Sequence, residues 1–260
     1  MKTRGKFPLL SKAPINEALL DIRVALPGSI GLDDIATFHD AVRDRFPNKK
    51  NRVSFQGGFQ VEDGKPAAIP ISGGTDGYLF ESPTEQKVVQ ARLDGFTFNK
   101  LKPYEDWKKF SSEARDLWTA YVRIAHPERI TRIALRYINR IEIPLPIRDF
   151  KEYIRTTPEV ARDLPQGLAH FFMRLVIPYN EISATVVVTE TMEDVTDRGM
   201  LALILDIDAS KEVNYAPDAE QAWRDFRKLR RLKNEVFFMS ITDKTKELLN
   251  GPRSNRTKTR

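Results

Sequence analysis

The chain of 260 residues contains no cysteine. That excludes disulfides, thiolate zinc sites, iron–sulfur clusters and cysteine nucleophiles, and it fits a reducing cytoplasm. Histidine is almost as scarce: His39, His126 and His170 are the only three. They are too scattered to form a zinc site. Their places predict a helix-surface residue, a helix end and, for His170, a position on a polar strand face, where it is the only candidate acid or base. No apolar run approaches the roughly 18 residues of a membrane-spanning helix. The basic start Met1–Lys12 also lacks the apolar stretch of a secretory signal. The expected location is therefore the cytoplasm, with no membrane partner. Equally missing are the Gly-x-Ser-x-Gly elbow, the phosphate loop and the dinucleotide fingerprint.

What remains is an ordinary soluble composition, 41% hydrophobic and 30% charged, able to bury a sizeable core. The formal net charge of +6 leans toward acidic partners such as nucleic acid. Part of the excess sits near the ends, in Lys2, Arg4, Lys6 and Lys12 and in Arg253, Arg256, Lys258 and Arg260. Asn250-Gly251-Pro252 stops a helix, so residues 251–260 are expected to form a disordered basic tail.

Hydrophobic periodicity divides the chain into elements. Glu17–Leu26 alternates, with Ala18, Leu20, Ile22 and Val24 on one side and Glu17, Asp21 and Arg23 on the other, as in a half-buried strand. Leu32–Phe46 reads as a helix with Ile35, Phe38 and Val42 inward, ended by Pro47. Arg52–Val61 reads as a strand with a bulge at Gly57-Gly58, and Glu62–Gly77 as a loop. Tyr78–Ser82 and Lys87–Lys100 are strands, paired as a hairpin around Pro83-Thr84. Asp106 then stands where a cap belongs, and Trp107, Phe110, Ala114, Leu117, Trp118 and Tyr121 recur at helical spacing. In the second half Ile130–Ile143 is a strand with Ile133, Leu135, Tyr137, Ile141 and Ile143 on one face. A helical stretch is expected near Asp149–Arg155, continued at Pro158–Asp163. Leu168–Ile177, Glu181–Glu190 and Met200–Asp208 are strands, followed by a long helix from Ala219 and a short one at Lys244–Leu249.

The two halves share the order strand, helix, about three strands, long helix, at a spacing of about 115 residues. The expected fold is α+β, with two pseudo-repeated halves over 1–128 and 129–250 and helices covering one face of antiparallel sheets. By analogy of order alone, this resembles the architecture of TATA-box-binding-type folds.

If helices cover one sheet face, the polar residues of each alternation occupy the other. In the second half that set is Arg132, Arg136 and Arg140, then His170 and Arg174, then Ser183, Thr185 and Thr189, with Asp206 and Asp208. In the first half it is Glu17, Asp21 and Arg23, then Arg52, Ser54 and Gln56, then Gln90, Arg92 and Asp94. Arginines at every fourth strand residue stand about 13 Å apart, a spacing that can track phosphates or acidic groups. Arg132, Arg136, Arg140, His170 and Arg174 are thus the candidate ligand-binding residues, the partner being nucleic acid or another protein. The competing reading is a wet sheet face in which Asp206 and Asp208 neutralise Arg132 and Arg136.

No catalytic signature stands out, and the chain reads as a non-enzymatic binding protein without a cofactor. The enzymatic alternative is phosphate processing of a nucleotide, triphosphate or polyphosphate. Asp206 and Asp208, two carboxylates on one side of a strand, would hold Mg²⁺ while Arg132, Arg136 and Arg140 bind phosphates. The Glu-x-Glu-x-Lys strand start expected of a triphosphate tunnel is missing.

Three stretches together carry a family resemblance: Ala13-Pro14-Ile15-Asn16-Glu17-Ala18, Arg132-Ile133-Ala134-Leu135-Arg136-Tyr137-Ile138-Asn139-Arg140-Ile141, and Leu232-Lys233-Asn234-Glu235-Val236-Phe237-Phe238. They resemble a sporadically distributed, uncharacterised bacterial protein family of about this length. The resemblance covers nearly the whole chain and transfers no catalytic residue. It implies a bacterial setting of patchy occurrence, of the kind found at mobile-element or defence-related loci.

Overall fold

A computed structural model describes residues 7–56, 59–62, 65–68, 72–196 and 199–250. Its elements run β1 (Ile15–Ala25), α1 (Leu32–Ala36), α2 (Phe38–Val42), β2 (Asn48–Gln56), β3 (Phe59–Glu62), β4 (Lys65–Ala68), β5 (Ser72–Ser82), β6 (Lys87–Arg92), β7 (Gly95–Leu101) and α3 (Trp107–Ala125). They continue with β8 (Arg129–Pro144), β9 (Phe172–Tyr179), β10 (Ala184–Val195), β11 (Met200–Tyr215), α4 (Glu220–Ser240) and α5 (Asp243–Asn250). Nine strands form one antiparallel sheet in the order β2-β5-β6-β7-β1-β8-β11-β10-β9, and β3 and β4 pair separately. The fold is thus α+β, as the periodicity predicts. The chain groups into two compact units. One comprises Leu19–Ala134 with Glu212–Trp223; the other takes the chain up to Ala18, Leu135–Lys211 and the residues from Arg224 on.

In the unit built on Leu19–Ala134, helix α3 supplies the cover. Asp106 caps it, accepting the amide of Lys109 at 2.9 Å, and His126 ends it in the left-handed region at φ 43°, a position that asparagine, glycine and histidine tolerate. Its inward stripe of Phe110, Ala114, Leu117, Trp118 and Tyr121 is buried. Phe98 of β7 stacks on Phe110 at 5.2 Å between ring centres, and Phe96 meets Trp118 and Tyr121 at 5.9 Å each. Helix α2 adds Phe38 against Phe80 of β5 at 5.3 Å.

In the other unit α4 covers the corresponding face. Odd-numbered residues Leu135, Tyr137, Ile141 and Ile143 of β8 and Leu203, Leu205 and Ile207 of β11 are buried, as are Phe226, Leu229, Leu232 and Val236 of α4. Two polar contacts join the helix to the sheet: Lys211 of β11 pairs with the buried Asp225 at 2.8 Å, and Nζ of Lys233 lies 3.3 Å from the ring centre of Tyr137. Helix α5 is tied to the start of the chain by the Lys12 amide donating to the Leu249 carbonyl at 2.9 Å.

Four expectations are corrected. The helix over Leu32–Phe46 breaks at Thr37, whose amide bonds three residues back to Asp34 while its hydroxyl donates to the same carbonyl at 2.7 Å; such back-bonding competes with helix continuation. Lys87–Lys100 is two strands, turned at Leu93-Asp94, and Gly95 adopts φ +154°. A Cβ there would stand 2.2 Å from the Ile22 carbonyl oxygen, so only glycine lets β7 approach β1. The described residues between Glu62 and Gly77 are not loop but hold β4 and the start of β5. Gly77 belongs to close strand packing, since a Cβ there would meet the Ala91 oxygen at 2.4 Å. Residues 158–163 form no helix, and only Phe150–Glu152 makes a single 3₁₀ turn. Gly57-Gly58 and the tail at 251–260 lie outside the described residues.

Candidate functional site: the charged face of the sheet

Strand parity gives each unit a face opposite its helices, and on it lie Asp21, Arg23, Gln90 and Arg92 in one unit and Arg136, Arg140, Arg174, Thr189, Asp206 and Asp208 in the other. Along β8, Ile130 and the odd-numbered positions from 133 to 143 are buried, while Arg132 and Arg140 are half-buried and Arg136 is exposed. The three guanidinium groups therefore share one side of the strand. None of them stands as a bare cation.

In the unit of Leu19–Ala134 the centre of the charged face is Asp21. It accepts from Arg92 Nη2 at 2.9 Å, from Thr97 Oγ1 at 2.6 Å and from Arg132 Nη1 at 3.3 Å, with Arg23 Nε also at 3.3 Å. Arg92 is buried, its side chain 3% exposed. Asp94, in the β6–β7 turn, takes Arg92 Nε at 2.8 Å and also pairs with Arg23. Arg52 of β2 pairs with Asp76 and donates to Gln90 at 3.2 Å, and Gln90 donates to Asn99 at 3.3 Å. Burial pushes the Asp21 carboxyl up, but Arg92, Thr97 and Arg23 outweigh it and hold it below the usual carboxylate range. Cation and acceptor alternate from strand to strand, so the face is close to electroneutral.

In the unit that holds Leu135–Lys211 the central pair is Arg136 and Asp206. Arg136 Nε reaches both carboxylate oxygens, at 2.9 and 3.0 Å, and Nη2 reaches Oδ2 at 2.6 Å. These bonds raise the Arg136 guanidinium above its ordinary value, against burial, with Asp206 and Asp208 adding charge attraction. Arg140 bonds Glu193 at 2.8 Å and Glu142 at 2.5 Å. Register aligns Asp206 with Thr189 and Thr189 with Arg174, so acid, hydroxyl and base form one row. His170 stands before β9, its Nε2 3.4 Å from Thr191 Oγ1; it does not join the arginines. Ser183 sits in the turn before β10 with φ 51°. Apolar side chains lie among the charges: Ile138, Val187 and Ile204 are half-buried, and Phe172 and Val176 are exposed.

Asp206 and Asp208 do face the same way, as a two-residue spacing requires. Both Asp206 oxygens are already held by Arg136. Among the described residues no group of three or more histidine, aspartate or glutamate side chains converges. A cavity of about 600 Å³ between Ile147–Lys151 and Thr157–Leu168 is lined by none of the predicted binding residues.

Sequence reasoning missed the partners Asp76, Thr97, Glu142 and Glu193, because cross-strand contact depends on register. It also missed two ionisable groups under the helices. Glu190 of β10 is 1% exposed, neither of its oxygens has a hydrogen-bond partner among the described residues, and burial raises its carboxyl to about 7. Lys233 is pushed down to about 7 by burial, with nearby Arg230 adding repulsion; the Tyr137 ring beneath it acts the other way. The alternation that places Val186, Val188 and Met192 inward also places Glu190 inward, and that was the available signal. Set against known protein families and curated proteins, the chain matches none.

Proposed function

We propose that this chain is a non-enzymatic binding protein that receives a partner protein on the open face of its sheet. The observation that carries the reading is the closed Arg136–Asp206 pair. A phosphate backbone is bound by cations that release counterions, whereas here Arg132, Arg136 and Arg140 of β8 each already have a carboxylate. A near-neutral surface of mixed charge, threonine and exposed aliphatic groups matches the make-up of protein interfaces, where paired charges set specificity. The setting we infer is a bacterial locus of mobile-element or defence character. We read the strand order as an internal duplication, since β7, β6 and β5 follow outward from β1 as β11, β10 and β9 do from β8; the likeness to TATA-box-binding order remains one of arrangement.

The test is a gel-shift series with duplex and single-stranded nucleic acid across rising salt, beside co-purification with the product of an adjacent gene. The reading expects no salt-sensitive shift and a stable complex that Arg136→Glu and Arg140→Glu weaken. A shift that falls steeply with salt assigns the face to nucleic acid instead. Turnover of a nucleotide or polyphosphate, lost on Asp206→Asn, returns the phosphate-processing alternative.

A further inference from the structure

The sheet ends in two edges of opposite character. Strand β2, Asn48–Gln56, opens with Asn48, Lys49, Lys50 and Asn51, all exposed, followed by Arg52. Charged side chains, lysine above all, keep an edge from pairing with another strand. At the other end of the order stands β9, with the sequence Phe-Met-Arg-Leu-Val-Ile-Pro-Tyr. Arg174 is its single charge. Phe172 and Val176 are 67% and 56% exposed, and Met173, Leu175 and Ile177 on the opposite side are only half-buried. A strand of this kind, bonded on one side only among the described residues, offers a row of amides and carbonyls flanked by oily side chains on both faces. No lysine and no bulge guards it; Pro178 closes only its far end.

We propose that β9 pairs antiparallel with β9 of a second copy of this chain, about a two-fold axis through Leu175. The occupant follows from self-complementarity. An axis at Leu175 sets Arg174 opposite Val176 of the second copy, Met173 opposite Ile177 and Phe172 opposite Pro178. An axis at Arg174 would set the two arginines against each other, which like charges directly across strands oppose. Facing residues keep the same parity, so the open face of one copy runs on into that of the other. Such an interface is isologous and closes at two copies. It uses the backbone of the strand edge, whereas the partner proposed above would lie on the side chains of the sheet face.

The absence of native cysteine makes the test direct. Sedimentation equilibrium over a concentration series should give a mass rising from 29.9 kDa toward twice that value. Val176→Lys, at an exposed position, should hold the chain monomeric with an unchanged thermal melt, while Val53→Lys on β2 should leave dimerisation intact. Leu175→Cys should form a covalent dimer on mild oxidation, since directly opposed strand residues bring their Cβ atoms within disulfide reach; Phe172→Cys should not. A chain that stays monomeric throughout, a dimer indifferent to Val176→Lys, or cross-linking at 172 in place of 175 overturns the proposal.

Discussion

Arg136 grips Asp206 through two nitrogens, with Nε shared between both carboxylate oxygens and Nη2 on one of them. The acid is 12% exposed and the base 44%, so the bond is half-shielded from solvent. Asp206→Asn should lower stability by about 1 kcal/mol, the scale of a part-exposed charged hydrogen bond. It should also leave the face more cationic. Urea midpoints and nucleic-acid affinity, measured on the same two proteins, check both outcomes.

Asp21 carries more weight because Arg92 is buried beside it. Asp21→Asn removes the charge that compensates an interior guanidinium, and a loss of about 3 kcal/mol is expected. The folded-state carboxyl is held below its ordinary 3.8. Its contribution is therefore present above the ordinary value and disappears as pH falls through the folded value. The variant should show a flatter stability profile across that acid window, read by denaturation at a series of pH values.

Glu190 has the opposite sign. Its carboxyl is raised from 4.5 to about 7, so the folded chain holds a proton that the unfolded chain releases. Stability is greatest below 4.5, falls as pH rises through about 7, and stays reduced above it. Glu190→Met should abolish the fall and raise stability at alkaline pH by on the order of 3 kcal/mol. A variant no more stable than the parent at pH 8 would mean that the carboxylate has a partner in solution.

Lys233 is lowered from 10.5 to about 7. The unfolded chain is protonated across that window and the folded chain is not, so the lysine costs stability below about 7 and the cost fades toward 10.5. Lys233→Met should stabilise at neutral pH by on the order of 2 kcal/mol, the Tyr137 ring offsetting part of the burial penalty. The gain should shrink as pH approaches 10, which calorimetry at two pH values will show.

Where one face of an element is wet, its outline was legible. The alternation of β1 and β8 and the stripe from Phe110 to Tyr121 follow from periods of 2.0 and 3.6, and Arg132, Arg136 and Arg140 share a side because strand parity demands it. Three things lay beyond reach. Thr37 breaks a helix through a local hydroxyl bond that periodicity does not register. Gly77 and Gly95 resemble loop residues until the neighbouring strand shows what a methyl group would strike. And the partner of each arginine depends on which strands lie side by side, so a row of positive charge in the sequence is a compensated one in space.

Lys49 and Lys50 have a consequence for how large an assembly can grow. A chain with two sticky borders would add copies without limit and end as a fibre. With one border repelling newcomers and the other satisfied by its own twin, growth halts after a single step.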